Sequence, residues 1–141
     1  MMEHKPYVRT VHYYETDQMS IVHHSNYIRW FEEARLHQLN HLGLNYHSME
    51  EQGIIIPVVD ISCKYHHSVR YGDEVEICPV LIQYNGVRMT YRYEVRICGS
   101  SVLAATGTSC HCFVDHNQRP FSMKKKFPEL HHQLSALVAA E

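Results

Sequence analysis

Between Arg88 and Ile97 the chain alternates without a fault. Met89, Tyr91, Tyr93, Val95 and Ile97 fall on one face, and Arg88, Thr90, Arg92, Glu94 and Arg96 on the other. A period of two over ten residues describes a strand with one dry face and one wet face, which is the signature of an antiparallel sheet open to solvent on one side. Asn85-Gly86 precedes it, between two strand-like runs, and predicts a hairpin with a type I′ turn, whose central positions both need positive φ. A sheet dry on one side needs a cover for that side. The rest of the chain has to supply it.

The cover is the stretch from Ser25 to about Leu42. Ile28, Phe31, Arg35, Leu39 and Leu42 follow helical spacing, and Tyr27, Trp30 and Ala34 add a second stripe beside them, so the helix is apolar over a wide arc. Gly43 suits the left-handed residue that ends it. Val8–Tyr14 reads as a strand. After Ile54 come the runs IIIPVVDISCKYHHSV, DEVEICPVLIQY, VRMTYRYEVRIC and LAATGTSCHCFV, each a candidate strand; Pro57 marks an edge or bulge near the start of the first. Pro128 predicts the opening of a short helix running to about Val138. Strand, long helix, then four strands is an α+β order, expected as a single domain over residues 1–141. One sheet covers only part of such a helix, so a homodimer at least is expected.

Composition narrows the function. With 15 acidic and 13 basic residues the formal net charge is −2, which gives no general attraction to nucleic acid. The start MMEHKPYV has no apolar leader segment, and no run approaches the roughly 18 apolar residues of a membrane span. The five cysteines fit no disulfide framework, so a reduced, cytoplasmic protein is expected. Thirteen histidines invite a metal reading. However, the pairs His23-His24, His66-His67 and His131-His132 are adjacent, and neighbours on a strand or helix point apart. Cys110 and Cys112 lack the spacing of a zinc site. No metal is expected.

The segment ahead of the helix, ETDQMSIVHHSNY, carries the chemistry. A helix start presents unpaired N–H groups and a partial positive charge, suited to an oxygen that becomes negative during a reaction. Ser20, Ser25 or Asn26 could cap it. The N–H groups of about Val22 to His24 lie near that start, with Asp17 just before them. An acyl carbonyl over these amides would have a carboxylate within reach, able to attack or to activate water. The same Asp could also serve only as a cap or dipole partner.

Tyr13 to Tyr27, followed by IRWFEEAR, resembles the signature of the hotdog-fold acyl-CoA thioesterases of the 4-hydroxybenzoyl-CoA thioesterase family, YbgC-like branch. The likeness continues through IPVVDISCKYHHSVRYGDEVEI and FVDHNQRPFSM, nearly the whole chain. It implies a hotdog fold: a long central helix wrapped by a five-stranded antiparallel sheet. It also implies acyl-CoA hydrolysis, with Asp17 as the essential carboxylate, acting as nucleophile or general base. The His24 N–H falls at the oxyanion donor, the His24 side chain at an assisting histidine, and Tyr13 at a supporting tyrosine. The site of such proteins lies at a dimer interface. One departure stands out: Ser20 occupies a position that is usually glycine, which matters if the turn needs positive φ.

Coenzyme A brings phosphates, which call for basic side chains. Arg119, Arg88 and Lys124, with Lys125 and Lys126 beside it, are the candidates; the carrier is part of the substrate, and no separate cofactor is expected. Tyr46, Met49 and Ile56 are candidate pocket residues. The alternative within the same fold is a module that binds acyl-CoA or an acyl-carrier protein without hydrolysis. The His/acid arrangement of hotdog hydratases is not found here.

Overall fold

A computed structural model describes residues 6–138. The leader expectation at residues 1–5 falls outside them. The five strands are β1 (Tyr7–Thr10), β2 (Val58–Tyr65), β3 (Glu74–Tyr84), β4 (Arg88–Ile97) and β5 (Leu103–Cys112). They form one antiparallel sheet in the order β1-β3-β4-β5-β2. The helices are α1 (Ser25–His41), α2 (Tyr46–Glu51), α3 (Met123–Lys126) and α4 (Pro128–Leu137). This is the hotdog arrangement: a sheet wrapped around one long helix.

The alternation in β4 is realised. Met89, Tyr91, Tyr93 and Val95 are buried and Ile97 is half-buried. They meet the inner face of α1, where Tyr27, Trp30, Phe31, Ala34, Arg35, Gln38 and Leu39 are buried. The rings of Phe31 and Tyr93 stack at 4.3 Å. Gly107 of β5 lies directly under Phe31: a Cβ there would sit 2.5 Å from the ring and 2.6 Å from the Ser62 carbonyl, so only glycine lets helix and strand approach this closely. Ile28 departs from the predicted stripe and is 38% exposed. It lies toward the outer edge of the arc, where the single chain offers no cover.

Helix α1 ends as predicted at Gly43, which has φ +80°. Leu44 N–H donates to the Leu39 carbonyl at 2.8 Å and Gly43 N–H to the Asn40 carbonyl at 3.1 Å, the two bonds of a Schellman motif. Leu39 and Leu44 are both buried beneath it.

Three expectations need correction, and one element went unread. The predicted strand over Val8–Tyr14 stops at Thr10, and Tyr13–Glu15 form a 3-10 turn, because the Glu15 carboxylate accepts the His12 N–H at 2.8 Å and curls the chain. The long run after Ile54 is a strand only over Val58–Tyr65. Pro57 donates no N–H to a ladder, and at the other end the chain turns away at His66. The β3–β4 hairpin forms, but not with a type I′ turn. Gly86 alone has positive φ, +89°, while the Asn85 side chain accepts the N–H groups of Val87 and Arg88 at 2.9 and 2.7 Å. Finally, α2 was not anticipated. Asn45 caps it by accepting the Ser48 N–H at 3.1 Å, and Met49 is its single buried anchor. One buried residue in six is too little periodicity to read.

Candidate active site

The segment from Glu15 to Ser25 is a small hairpin laid across the head of α1. Thr16 bridges Val22, and Ile21 bridges Arg70 in the β2–β3 connection. Asp17 N–H donates to the Ile21 carbonyl at 2.8 Å, and Ser20 N–H returns to the Asp17 carbonyl at 3.1 Å. That closes a three-residue loop, Gln18-Met19-Ser20, whose last residue must be left-handed. Ser20 is so, with φ +66°. The position that the resemblance fills with glycine therefore does require positive φ, and serine adopts it. The turn survives the substitution.

The helix cap is none of the predicted residues. Ser25 is already helical, and His24 precedes it with helical dihedrals and makes no side-chain cap bond. Ser25 instead pairs its hydroxyl with His23 Nδ1 at 2.9 Å, and Asn26 donates its side chain to the Glu15 carbonyl at 2.9 Å. His23 takes up the first helical donors: its Nδ1 accepts the Ser25 N–H at 3.2 Å and its carbonyl the Asn26 N–H at 3.0 Å. His23 N–H is used, donating to the Glu15 carbonyl at 2.8 Å. The His24 N–H makes no hydrogen bond among the described residues. The Asp17 carboxylate does not cap α1 either. It accepts the N–H of Met19, within its own loop, at 2.8 Å.

Asp17 and His24 line one open cavity of about 310 Å³, together with Val22, Tyr27, Tyr65 and His67 among others. Its floor is aromatic: the Tyr27 and Tyr65 rings meet edge to face at 5.1 Å. Burial pushes both phenols up to about 12, so both stay protonated donors at neutral pH. Tyr65 donates to the His24 carbonyl at 3.1 Å. Tyr27 was expected only as part of the helix's apolar stripe, and Tyr65 was not singled out in the sequence. Tyr65 is 41 residues from His24, and their meeting depends on β2 running past the head of α1, which no local pattern encodes.

Tyr13 is placed differently. It is 74% exposed and meets Tyr71 edge to face at 5.7 Å. It lines a second cavity of about 650 Å³ on the other flank of the hairpin, with Tyr14, Thr16, Gln18 and Ser20. Asp17 lines both cavities and so stands on the ridge between them.

The basic candidates sit elsewhere on the single chain. Arg119 is exposed in a turn built by Asp115, whose carboxylate accepts its N–H at 3.0 Å. Lys124 is exposed beside the β3–β4 hairpin, held there by the Met123 N–H bond to the Gly86 carbonyl at 2.8 Å. Arg88 opens β4 at the same hairpin and lines a cavity of about 680 Å³ with Tyr84 and Val138. None of these three lines the cavity beside Asp17. Met49 and Ile56 are core residues and Tyr46 is half-buried, and none of them lines it either. Among the described residues no group of three His, Cys, Asp or Glu side chains is placed to hold a metal ion.

Comparison with known proteins fits this geometry into a family. The profile of the thioesterase-like superfamily matches residues 11–136. YneP of Bacillus subtilis, provisionally named an acyl-CoA thioesterase, is 37% identical over 122 residues, covering 86% of this chain and 88% of that one. A 1,4-dihydroxy-2-naphthoyl-CoA hydrolase of Thermosynechococcus vestitus is 27% identical over 119 residues, 82% of this chain and 80% of that one. Among solved structures, a DHNA-CoA thioesterase from Staphylococcus aureus superposes with a TM-score of 0.90 at 33% identity, over 96% of this chain and 91% of that one.

Proposed function

This chain belongs to the thioesterase-like superfamily, and we propose that it hydrolyses an acyl-CoA thioester to the free carboxylic acid and coenzyme A. The observation that carries the proposal is the cavity shared by Asp17 and His24 at the start of α1, where the His24 N–H is unpaired among the described residues. The acyl carbonyl oxygen accepts that N–H, and the partial positive charge of the α1 start adds to it. Asp17 either draws a proton from a water that attacks the carbonyl carbon, or attacks that carbon itself to form a mixed anhydride that water then hydrolyses, freeing the acid and restoring the carboxylate. Charge moves onto the oxygen and returns as the C–S bond breaks, and the departing thiolate takes up the proton that the water gives, so CoA leaves as the thiol. An oxyanion donor of this kind is worth about 3–4 kcal/mol, and a positioned acid–base group roughly 10²- to 10⁴-fold in rate. The His24 side chain flanks this step from within the cavity, and Tyr13 stands as a supporting group on the far side of Asp17, in the second cavity. No cofactor is needed, since water and the substrate supply every atom.

The protein acts as a homodimer in this reading. Strand β2 is a sheet edge eight residues long, and Val58, Val59 and Tyr65 on it are about half exposed, a combination that soluble monomers avoid. Pairing of two such edges would bring basic residues of one protomer toward the Asp17 of its partner. Arg119, Arg88 and Lys124 would hold the phosphates of the carrier there. No described helix is long and apolar enough to cross a membrane. All five cysteines are free, which suits a reducing compartment, the cytoplasm.

The test is thiol release across a panel of aliphatic and aromatic acyl-CoAs, with calorimetry on the same compounds. Turnover of at least one thioester is expected, with KM raised in Arg119→Ala. Tight binding without thiol release would instead identify a carrier module.

A further inference from the structure

We propose that Glu15 is the positioning residue of this site, fixing where Asp17 stands relative to the His24 N–H; the proposal rests on the thioesterase reading. Glu15 is the one buried carboxylate among the described residues, 4% exposed, and the reaction makes no direct use of it. Three donors converge on its side chain. Arg9 Nη1 lies at 2.6 Å, the His12 N–H at 2.8 Å and the Trp30 indole N–H at 2.9 Å. Two more converge on its main-chain carbonyl: the His23 N–H at 2.8 Å and the Asn26 side chain at 2.9 Å. One residue therefore ties β1, the 3-10 turn, the approach to α1 and α1 itself to a single point.

That point lies two residues before Asp17. It also holds the N–H immediately before that of His24. The hairpin carrying Asp17 leaves from Glu15 and returns at Val22, so both ends of the loop are pinned by it, one by covalent bond and one through His23. The support behind Glu15 is equally firm. Arg9 also contacts Glu33 of α1 at 3.2 Å, its guanidinium lies over the Trp30 ring at 5.1 Å, and Tyr7 donates to the same Glu33 at 3.1 Å. A buried carboxylate saturated with donors is stiff, since any shift leaves a buried group unpaired. Such stiffness is what a reacting carboxylate needs from the residues behind it, because misplacement by about 1 Å can cost 10²-fold in rate.

The experiment measures thiol release and its pH dependence for wild type, Glu15→Gln, Trp30→Phe, Asp17→Asn and the Glu15→Gln/Asp17→Asn double variant, each checked for folding by near-UV circular dichroism. Glu15→Gln keeps the shape but puts an amide donor among three donors. Trp30→Phe keeps the ring and removes one donor, so it reads the proposal even where Glu15→Gln fails to fold. The expected result is a kcat lower by about 10- to 100-fold in Glu15→Gln, with a smaller loss in Trp30→Phe. KM and the position of the acid limb should stay as in wild type, and the double variant should be no slower than Asp17→Asn alone, because Glu15 acts only through Asp17. Unchanged kcat in the folded variants, or a full further loss in the double variant, would overturn the proposal while leaving the thioesterase reading in place. Equal turnover by wild type and Asp17→Asn would bring down that reading, and this inference with it.

Discussion

Ser20 shows what a single backbone angle can decide. A left-handed residue with a side chain costs about 1–2 kcal/mol, and serine carries that cost here at φ +66° so that the Asp17 loop can close. Glycine would remove the strain but loosen the unfolded chain. Ser20→Gly should therefore raise stability in urea unfolding by about 0.5–1 kcal/mol with the turn unchanged, whereas Ser20→Val should lower it by about 1–2 kcal/mol. His111 makes a second residue-scale prediction. It is fully buried, its Nε2 pairs with the Ser109 hydroxyl at 2.7 Å, and burial, with the Arg35 charge adding to it, holds its pKa at about 4, below the usual imidazole value near 6.5. The fold thus holds the neutral ring. The stability this gives is whole above pH 6.5 and is lost as the pH falls toward 4, by about 3 kcal/mol at the most. Unfolding measured at pH 7 and pH 4.5 should show that loss in wild type and a flatter dependence in His111→Gln. That Asp17 and His24 meet at one cavity could be expected from their sequence neighbourhood. Glu15, Tyr65 and His111 were not, because their roles come from partners many residues away.

At the scale of elements, the helix and the strands announced themselves wherever one side of an element is buried along its length. The β4 alternation and the α1 arc are of this kind, and so is the end of α1 at Gly43. The reading failed where side chains other than the repeating ones decide the backbone. Glu15 curls the predicted first strand into a 3-10 turn, and the Asn85 side chain shapes the hairpin turn by accepting the N–H groups that follow it. It failed again at α2, which buries one residue. The spacing between α1 and the sheet rests on Gly107. Gly107→Ala must push Phe31 away from Tyr93 or bend β5 at the Ser62 carbonyl, and should destabilise the protein by about 2–3 kcal/mol in thermal or urea unfolding. Wild-type stability in that variant would show that helix and strand can separate freely.

At the scale of the whole molecule, one chain holds an acid, a free amide and an aromatic floor together, but leaves its basic candidates on other faces. A second copy, as proposed above, would reconcile these facts. The exposed β2 edge gives it a place to dock, and sedimentation should show a dimer that Val59→Lys drives toward monomer. A wild-type monomer would contradict that part of the account. The dimer expectation rests on a shortage of cover for α1 and on the family resemblance, since the sequence of one chain does not say which edge meets which. The central claim is chemical: one carboxylate and one amide act together on a thioester carbonyl. Its most direct test is the ratio of kcat/KM for thiol release between wild type and Asp17→Asn on a single acyl-CoA. The account predicts a fall of about 10²- to 10⁴-fold with the fold intact, and a ratio near one would contradict it.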